Sequence, residues 1–276
     1  MSSESPPGAV AAAAGRPPSG PDAPGYSAAW RAFSKIILRP LIPALMKLQF
    51  RGTEHIPAEG GVIIAANHLS YADVLALSLF ADRAGRYPVF LAKSSLFRRP
   101  GLGLVLRKLG QLPVYREQVG AALVLRAAAA ALQAGACVII YPEATITRDP
   151  ELWPMAAKSG VARVALDTGV PVLPVAHWGT QDVLPARRPT WPRLVPRRRV
   201  QVAAGPPVDL SGFGGRAAPS AVLPEVTAMI MTEVTGLLGQ LRQQDPPAVP
   251  YRWWRGRRGA PGPAQPGLTD QDRHGR

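Results

Sequence analysis

Along the chain, short apolar runs alternate with stretches whose apolar positions recur at helical spacing. The order is GVIIAA, VLALSLF, YPVFLA, SSLF, LGLVLRKL, an Ala-rich helical stretch, CVIIY, VARVALDTG, VPVLPVA and RVQVAAG. Strands and helices in this alternation predict an α/β fold: a single layered domain with a largely parallel or mixed sheet flanked by helices. The polar segments NHLSYAD, PEATITRD and AHWGTQD each follow an apolar run directly. Ligands of open α/β sheets collect beyond the carboxyl ends of strands, so these three segments are candidates to share one site.

Upstream of this series, WRAFSKIILRPL at residues 30–41 places Trp30, Phe33, Ile37 and Leu41 on one helical face and Arg31, Lys35 and Arg39 on the other. The spacing predicts an amphipathic helix that Pro40 and Pro43 end or kink, with IPALMKLQF continuing as a second short apolar piece. Charges at Arg39 and Lys47 break the run well short of the ~20 apolar residues a span needs, so the pair is expected to lie at a membrane interface. Packing on the protein's own core is the competing reading. Near the other end, PYRWWRGRRG mixes aromatic and basic residues, either as a second anionic-surface contact or as a solvated tail.

Composition sets the boundaries around these elements. The 276 residues are 47% hydrophobic, enough for a packed core. Residues 1–24 and 241–276 are rich in Pro, Gly, Ala and polar residues and are expected to be disordered tails. Between them, residues 25–50 would be the amphipathic membrane-contact helices and 51–240 the main domain. No Lys or Arg precedes the weak AVAAAA run, so the N-terminus reads poorly as a secretory signal and the cytoplasmic face of a membrane is the expected location.

The net charge of +14 asks for a polyanion. No zinc finger, basic-region heptad or aromatic RNP-like strand is present, and the basic clusters lie beside large apolar residues, so an anionic membrane surface is expected as partner and nucleic acid is not. The scattered histidines His55, His68, His177 and His274 and the single Cys137 form no metal-ligand spacing, and Cys137 sits in the apolar run ACVII. GLGLVL lacks a third glycine, no P-loop occurs, and no G-x-S-x-G elbow provides a nucleophilic serine.

Candidate chemistry centres on ANHLSYADVLAL, residues 65–76, with His68 and Asp73 five positions apart. Ser70 followed by Asp73 and an apolar run fits a capping box, with Ser70 as N-cap and His68 an ordinary loop residue. A catalytic reading fits the same geometry. Within one helix five residues turn about 500°, which would part the two side chains. With His68 outside the helix, the chain can fold back so that the carboxylate meets one imidazole nitrogen. The other is then free to take a proton, and a hydroxyl so activated can attack a carbonyl.

NHLSYAD resembles the N-H-x-x-x-x-D block of the glycerolipid acyltransferases, the family of 1-acylglycerol-3-phosphate acyltransferase. Three further blocks follow in that family's order: GQLPVYR at 110–116, YPEATITR at 141–148 resembling F-P-E-G-T-R-S, and VPVLPVA at 170–176. KSGVARVA, from Lys158, resembles the segment between the last two. The resemblance covers roughly residues 45–210. It implies transfer from acyl-CoA or an acyl carrier protein thioester to the free hydroxyl of a lysophospholipid, with no metal or bound cofactor. It implies His68 as base and Asp73 as its orienting carboxylate, Arg116 at the acceptor's phosphate, and Glu143 with Thr145 shaping the acceptor pocket. Ala144 stands where the third block has glycine and Ile146 where it has arginine, so Arg148 and Lys158 become the candidates to replace the lost cation. Another lysolipid, a glycolipid or an alcohol as acceptor, or a catalytically weak lipid-binding protein, are the alternatives this leaves open.

Overall fold

The computed structural model describes residues 28–114, 118–186, 192–193, 195–213 and 220–253. Its central strands are those without a wet face. In β2 (Val62–Ala66, VIIAA) and β5 (Cys137–Ile140, CVII) every residue is buried. A parallel strand covered by helices on both sides reads as a continuous apolar run rather than an alternation. β6 (Val172–Trp178) is buried up to its last residue. Successive side chains of β2 point to opposite layers. Val62, Ile64 and Ala66 join a cluster with Leu77 and Phe80, while Ile63 and Ala65 join one with Leu132, Val161 and Ile230.

With β1 (Met46–Arg51), β3 (Pro88–Lys93), β4 (Leu112–Val114) and β7 (Arg198–Ala204), these strands form one seven-stranded sheet in the order β1-β7-β6-β2-β5-β3-β4. β6, β2, β5, β3 and β4 are parallel to one another, β7 runs antiparallel to β6, and β1 runs with β7. The sheet is therefore mixed, as the alternation predicts. Ala65 pairs with Ile140 on one side and Pro174 on the other. That register brings the residues after β2, β5 and β6 out together at one edge, which is where NHLSYAD, PEATITRD and AHWGTQD lie.

α1 (Ala28–Leu45) and α2 (Asp73–Arg83) pack together on one face of the sheet, α5 (Gln118–Gln133), α6 (Gly160–Thr168) and α8 (Leu223–Arg242) on the other. Two short helices, α3 (Ser94–Phe97) and α4 (Leu102–Lys108), connect β3 to β4, and α7 (Thr180–Val183) follows β6. α8, which the strand-helix series does not include, buries Val226, Ile230, Val234 and Leu238 at four-residue spacing. At its end the Arg242 guanidinium lies 4.0 Å from the Trp153 ring centre and 4.5 Å from that of Trp178, and Nη1 donates to the Glu151 carbonyl. Gly179, φ 103°, turns β6 into α7, and a Cβ there would come within 2.1 Å of the Arg199 carbonyl oxygen. Only glycine fits that approach.

The N-terminal region departs from the expected helix pair. One helix, α1, contains both prolines, and residues 46–51 form edge strand β1, with Met46 buried and Lys47, Gln49 and Arg51 exposed. Ile42 enters the core and Arg39 pairs with Asp82 of α2 (2.6 and 3.1 Å), while Ile36 and Leu41 face outward. The other members of the predicted stripe lie outside the described side chains. In the second expected tail, α8 runs on to Arg242, residues 243–250 are exposed, and Tyr251 and Trp253 touch Met155 and Arg148. Arg198 and Arg199 of the Arg-rich stretch belong to β7, with Arg199 Nε donating to Gln49 Oε1 at 2.8 Å.

Candidate active site

The site starts where β2 leaves the sheet. The Asn67 side chain donates through Nδ2 to the His177 carbonyl (3.1 Å) and accepts the His177 amide at Oδ1 (2.9 Å). His177 Nε2 donates in turn to the Asn67 carbonyl at 2.7 Å, and Thr180 Oγ1 faces its Nδ1 at 3.4 Å. Both Asn67 and His177 are fully buried. They lock the end of β2 to the end of β6, and the next residue, His68, emerges from that lock. His177 is thus a satisfied structural histidine; burial lowers its pKa, more than Asp73 and Asn67 raise it, and it is neutral.

Asp73 opens α2 and turns back toward the loop. Its Oδ2 accepts the amides of Leu69 (2.7 Å) and Ser70 (3.0 Å) and meets His68 Nδ1 at 2.7 Å. Half of the expected capping box is therefore present. The carboxylate reaches back to the Ser70 amide, but the helix begins at Asp73 and its N-cap is Ala72, with no side-chain bond. The Ser70 hydroxyl is engaged elsewhere, accepting from the Ala72 amide and donating to the Leu184 carbonyl. Burial by itself pushes the Asp73 carboxyl up, yet His177, His68 and the Thr180 hydroxyl together hold it below its ordinary value. An ionised Asp73 fixes the proton on His68 Nδ1 and leaves Nε2 as the basic nitrogen. The His68 side chain keeps 16% of its surface exposed and Asp73 none, so the ring reaches solvent and its carboxylate does not.

Three contacts from the segment after β5 fix the rest of His68. The Tyr141 ring stacks on the imidazole, centroids 4.0 Å apart and planes 13° from parallel. Glu143 Oε1 accepts the His68 amide (3.0 Å) while Oε2 accepts the Met155 amide (2.9 Å), and the Thr147 amide donates to the His68 carbonyl (2.8 Å). His68 thus sits in a frame supplied by β2, β5 and β6. Asn67, Tyr141 and Thr147 carry much of that frame, and sequence reasoning assigned none of them a role. The aromatic residue ahead of Pro142 was the available signal for Tyr141. Cys137, at the start of β5, is buried and burial pushes its thiol up to about 12, so it offers no nucleophile.

The remaining predicted residues are less tightly gathered. Arg116 lies outside the described residues. Thr145 is half-buried, Arg148 is exposed over the ring of Trp253, and Lys158 is exposed with its amide donating to the Pro142 carbonyl. Ala144, at the family's glycine position, has φ 56°, and Leu152 in the same segment has φ 65°. An L-residue in the left-handed region costs about 1–2 kcal/mol, and glycine gives back about 0.5–1 in chain entropy. Ala144→Gly should therefore stabilise the protein by up to ~1 kcal/mol, a rise of about 2–4 °C in Tm. A melting curve checks this, and an unchanged or lower Tm would show the turn to be unstrained.

A partly exposed histidine whose Nδ1 meets a buried carboxylate, at the carboxyl edge of a mixed sheet, defines the site. The acyltransferase family profile matches residues 47–178. A 1-acyl-sn-glycerol-3-phosphate acyltransferase of Pseudomonas aeruginosa is 30% identical over 190 residues, 68% of this chain and 68% of that protein. The chain belongs to the acyltransferase family, of the type those enzymes represent. Proteins with the same description match from Brassica napus chloroplasts, at 28% identity over 50% of this chain and 39% of the relative, and from Borreliella burgdorferi, at 32% over 50% and 53%. The chain spans about half or less of the length of those two relatives. Among solved structures, the 1-acyl-sn-glycerophosphate acyltransferase PlsC from Thermotoga maritima superimposes with a TM-score of 0.59 at 26% identity, covering 82% of this chain and 81% of that one.

Proposed function

We propose that this protein transfers a fatty acyl group from acyl-CoA or an acyl carrier protein thioester to the free hydroxyl of 1-acylglycerol 3-phosphate, giving phosphatidic acid. The observation that carries the reading is the 2.7 Å contact between His68 Nδ1 and Asp73 Oδ2, made inside a turn that itself donates two amides to the same oxygen. His68 Nε2 takes the acceptor's hydroxyl proton as its oxygen attacks the thioester carbonyl carbon. The C–S bond then breaks, and the thiolate leaves with the proton that His68 returns. Both substrates are bound together, and no acyl-enzyme forms.

Glu143 acts through the His68 backbone and the loop carrying Met155 rather than on the substrate directly. Thr145 borders the acceptor, and Arg116, Arg148 and Lys158 supply cations for its phosphate. The protein works as a peripheral enzyme at the cytoplasmic face of an anionic membrane. Exposed Ile36 and Leu41 beside Arg39 support that placement, and among the described residues no helix is long and apolar enough to cross a membrane.

Purified protein with labelled acyl-CoA or acyl carrier protein and a panel of lysolipids, presented on anionic or on uncharged vesicles, tests both parts. Acyl transfer to 1-acylglycerol 3-phosphate and co-sedimentation with the anionic vesicles are expected. No transfer to any acceptor would defeat the enzymatic reading, and equal binding to both vesicle types would defeat the electrostatic one.

A further inference from the structure

The segment that frames His68 is itself held from outside by the C-terminal part of the chain. Met155, whose amide binds Glu143, forms a parallel bridge with Tyr251, and the Ala156 amide donates to the Tyr251 carbonyl at 2.9 Å. Two residues on, Trp253 lies under the Arg148 guanidinium, whose carbon is 5.5 Å from the ring centre. Arg148 follows Thr147, the residue whose amide binds the His68 carbonyl. The contacts close a ring from His68 through Glu143, Met155, Tyr251, Trp253, Arg148 and Thr147 back to His68.

Arg148 forms no ion pair among the described residues. A cation–π contact with an indole face leaves the N–H edge of the guanidinium open, and that edge is the part that binds phosphate oxygens in pairs. It also removes rotamer freedom that a long side chain would otherwise lose on binding. Ile146, in the place of the arginine in the F-P-E-G-T-R-S block that this segment resembles, leaves an apolar side chain two residues before it.

We propose that Tyr251–Trp253 form the outer wall of the acceptor site, and that Trp253 holds the Arg148 guanidinium as a ligand for the phosphate monoester of the acceptor lipid. The inference rests on the acyl-transfer reading and names what recognises the headgroup in it. Trp253 is a positioning residue and Arg148 the group that meets the phosphate. The C-terminal segment thereby becomes part of substrate selection, and a chain cut before Tyr251 would lose it.

Initial rates with the full-length protein test this, varying 1-acylglycerol 3-phosphate and acyl-CoA separately. Trp253→Ala is expected to raise KM for the acceptor about 2- to 5-fold, the range an exposed cation–π contact spans. Its kcat and its KM for acyl-CoA are expected to stay within about two-fold of wild type, the mark of a loss confined to acceptor binding. Trp253→Phe, which keeps an aromatic face, should recover most of the loss. Arg148→Ala combined with Trp253→Ala should be no worse than Arg148→Ala alone. A Trp253→Ala protein with wild-type acceptor KM, or a double variant whose loss is the product of the two single losses, would overturn the proposal. Wild type that acylates no acceptor would instead refute the acyl-transfer reading beneath it.

Discussion

His68→Ala is expected to lower kcat for acyl transfer by about 10²- to 10⁴-fold, the contribution of one well-placed general base. The fold should survive, because the ring is partly exposed and its two strongest backbone ties, to Glu143 and Thr147, use main-chain atoms that alanine keeps. Asp73→Asn should act differently. It retains the shape of the side chain but replaces the ionised acceptor shared by the Leu69 and Ser70 amides and His68 Nδ1. An amide nitrogen turned toward these donors strands at least one of them, and an amide oxygen holds them more weakly than a charged one. The variant should therefore lose activity and melt at lower temperature. Single-turnover rates and melting curves on the two proteins separate these effects. Wild-type turnover in His68→Ala would remove His68 from the role of base, and an Asp73→Asn protein with normal stability would mean that the turn does not depend on that charge.

Where burial along a segment alone decides its structure, the sequence is readable. VIIAA and CVII are apolar throughout because their strands are covered on both faces, and the α2 pattern follows at once. β1 shows the opposite risk. Met46, Leu48 and Phe50 alternate with exposed Lys47, Gln49 and Arg51, a strand period, but the helical spacing just upstream and the two prolines draw the eye to a second helix. β4 has three residues, one of them proline, too short for any period. In the site, His68 and Asp73 are legible because the contact is local and five residues wide. The lock between Asn67 and His177 spans 110 positions and the bond from Glu143 to His68 spans 75. Such pairings exist only once the sheet order is set, and no local pattern marks them. The bridge from Met155 to Tyr251 is the extreme case, since composition assigns Tyr251 to a tail.

Glu143→Ala should destabilise the protein by about 2–6 kcal/mol, because it strands the buried amides of His68 and Met155 at about 1–3 kcal/mol each. That is a large part of the 5–15 kcal/mol typical of a whole domain. Activity should fall with it, since the His68 main chain would keep only its Thr147 tie. Glu143→Gln offers one good acceptor for two donors and should lie between. The same carboxyl gives stability a pH dependence of definite sign. Burial pushes Glu143 up to about 8, against the pull of the Met155 and His68 amides and with added repulsion from Asp73 and Asp149. Its ordinary value is 4.5, so between there and about 8 the folded protein holds a proton that the unfolded chain has released. The stabilisation is complete below the lower value and is lost as pH rises through the upper one. Asp73 and His177, both lowered, act in the opposite sense, adding stability as pH rises from the acid side. Comparison with Glu143→Gln cancels them, because the glutamine cannot titrate while the other two remain. Wild type should thus lose more Tm than Glu143→Gln between about pH 5 and pH 8. Parallel curves would mean that Glu143 is ionised in the fold, held as a carboxylate by the two amides it binds.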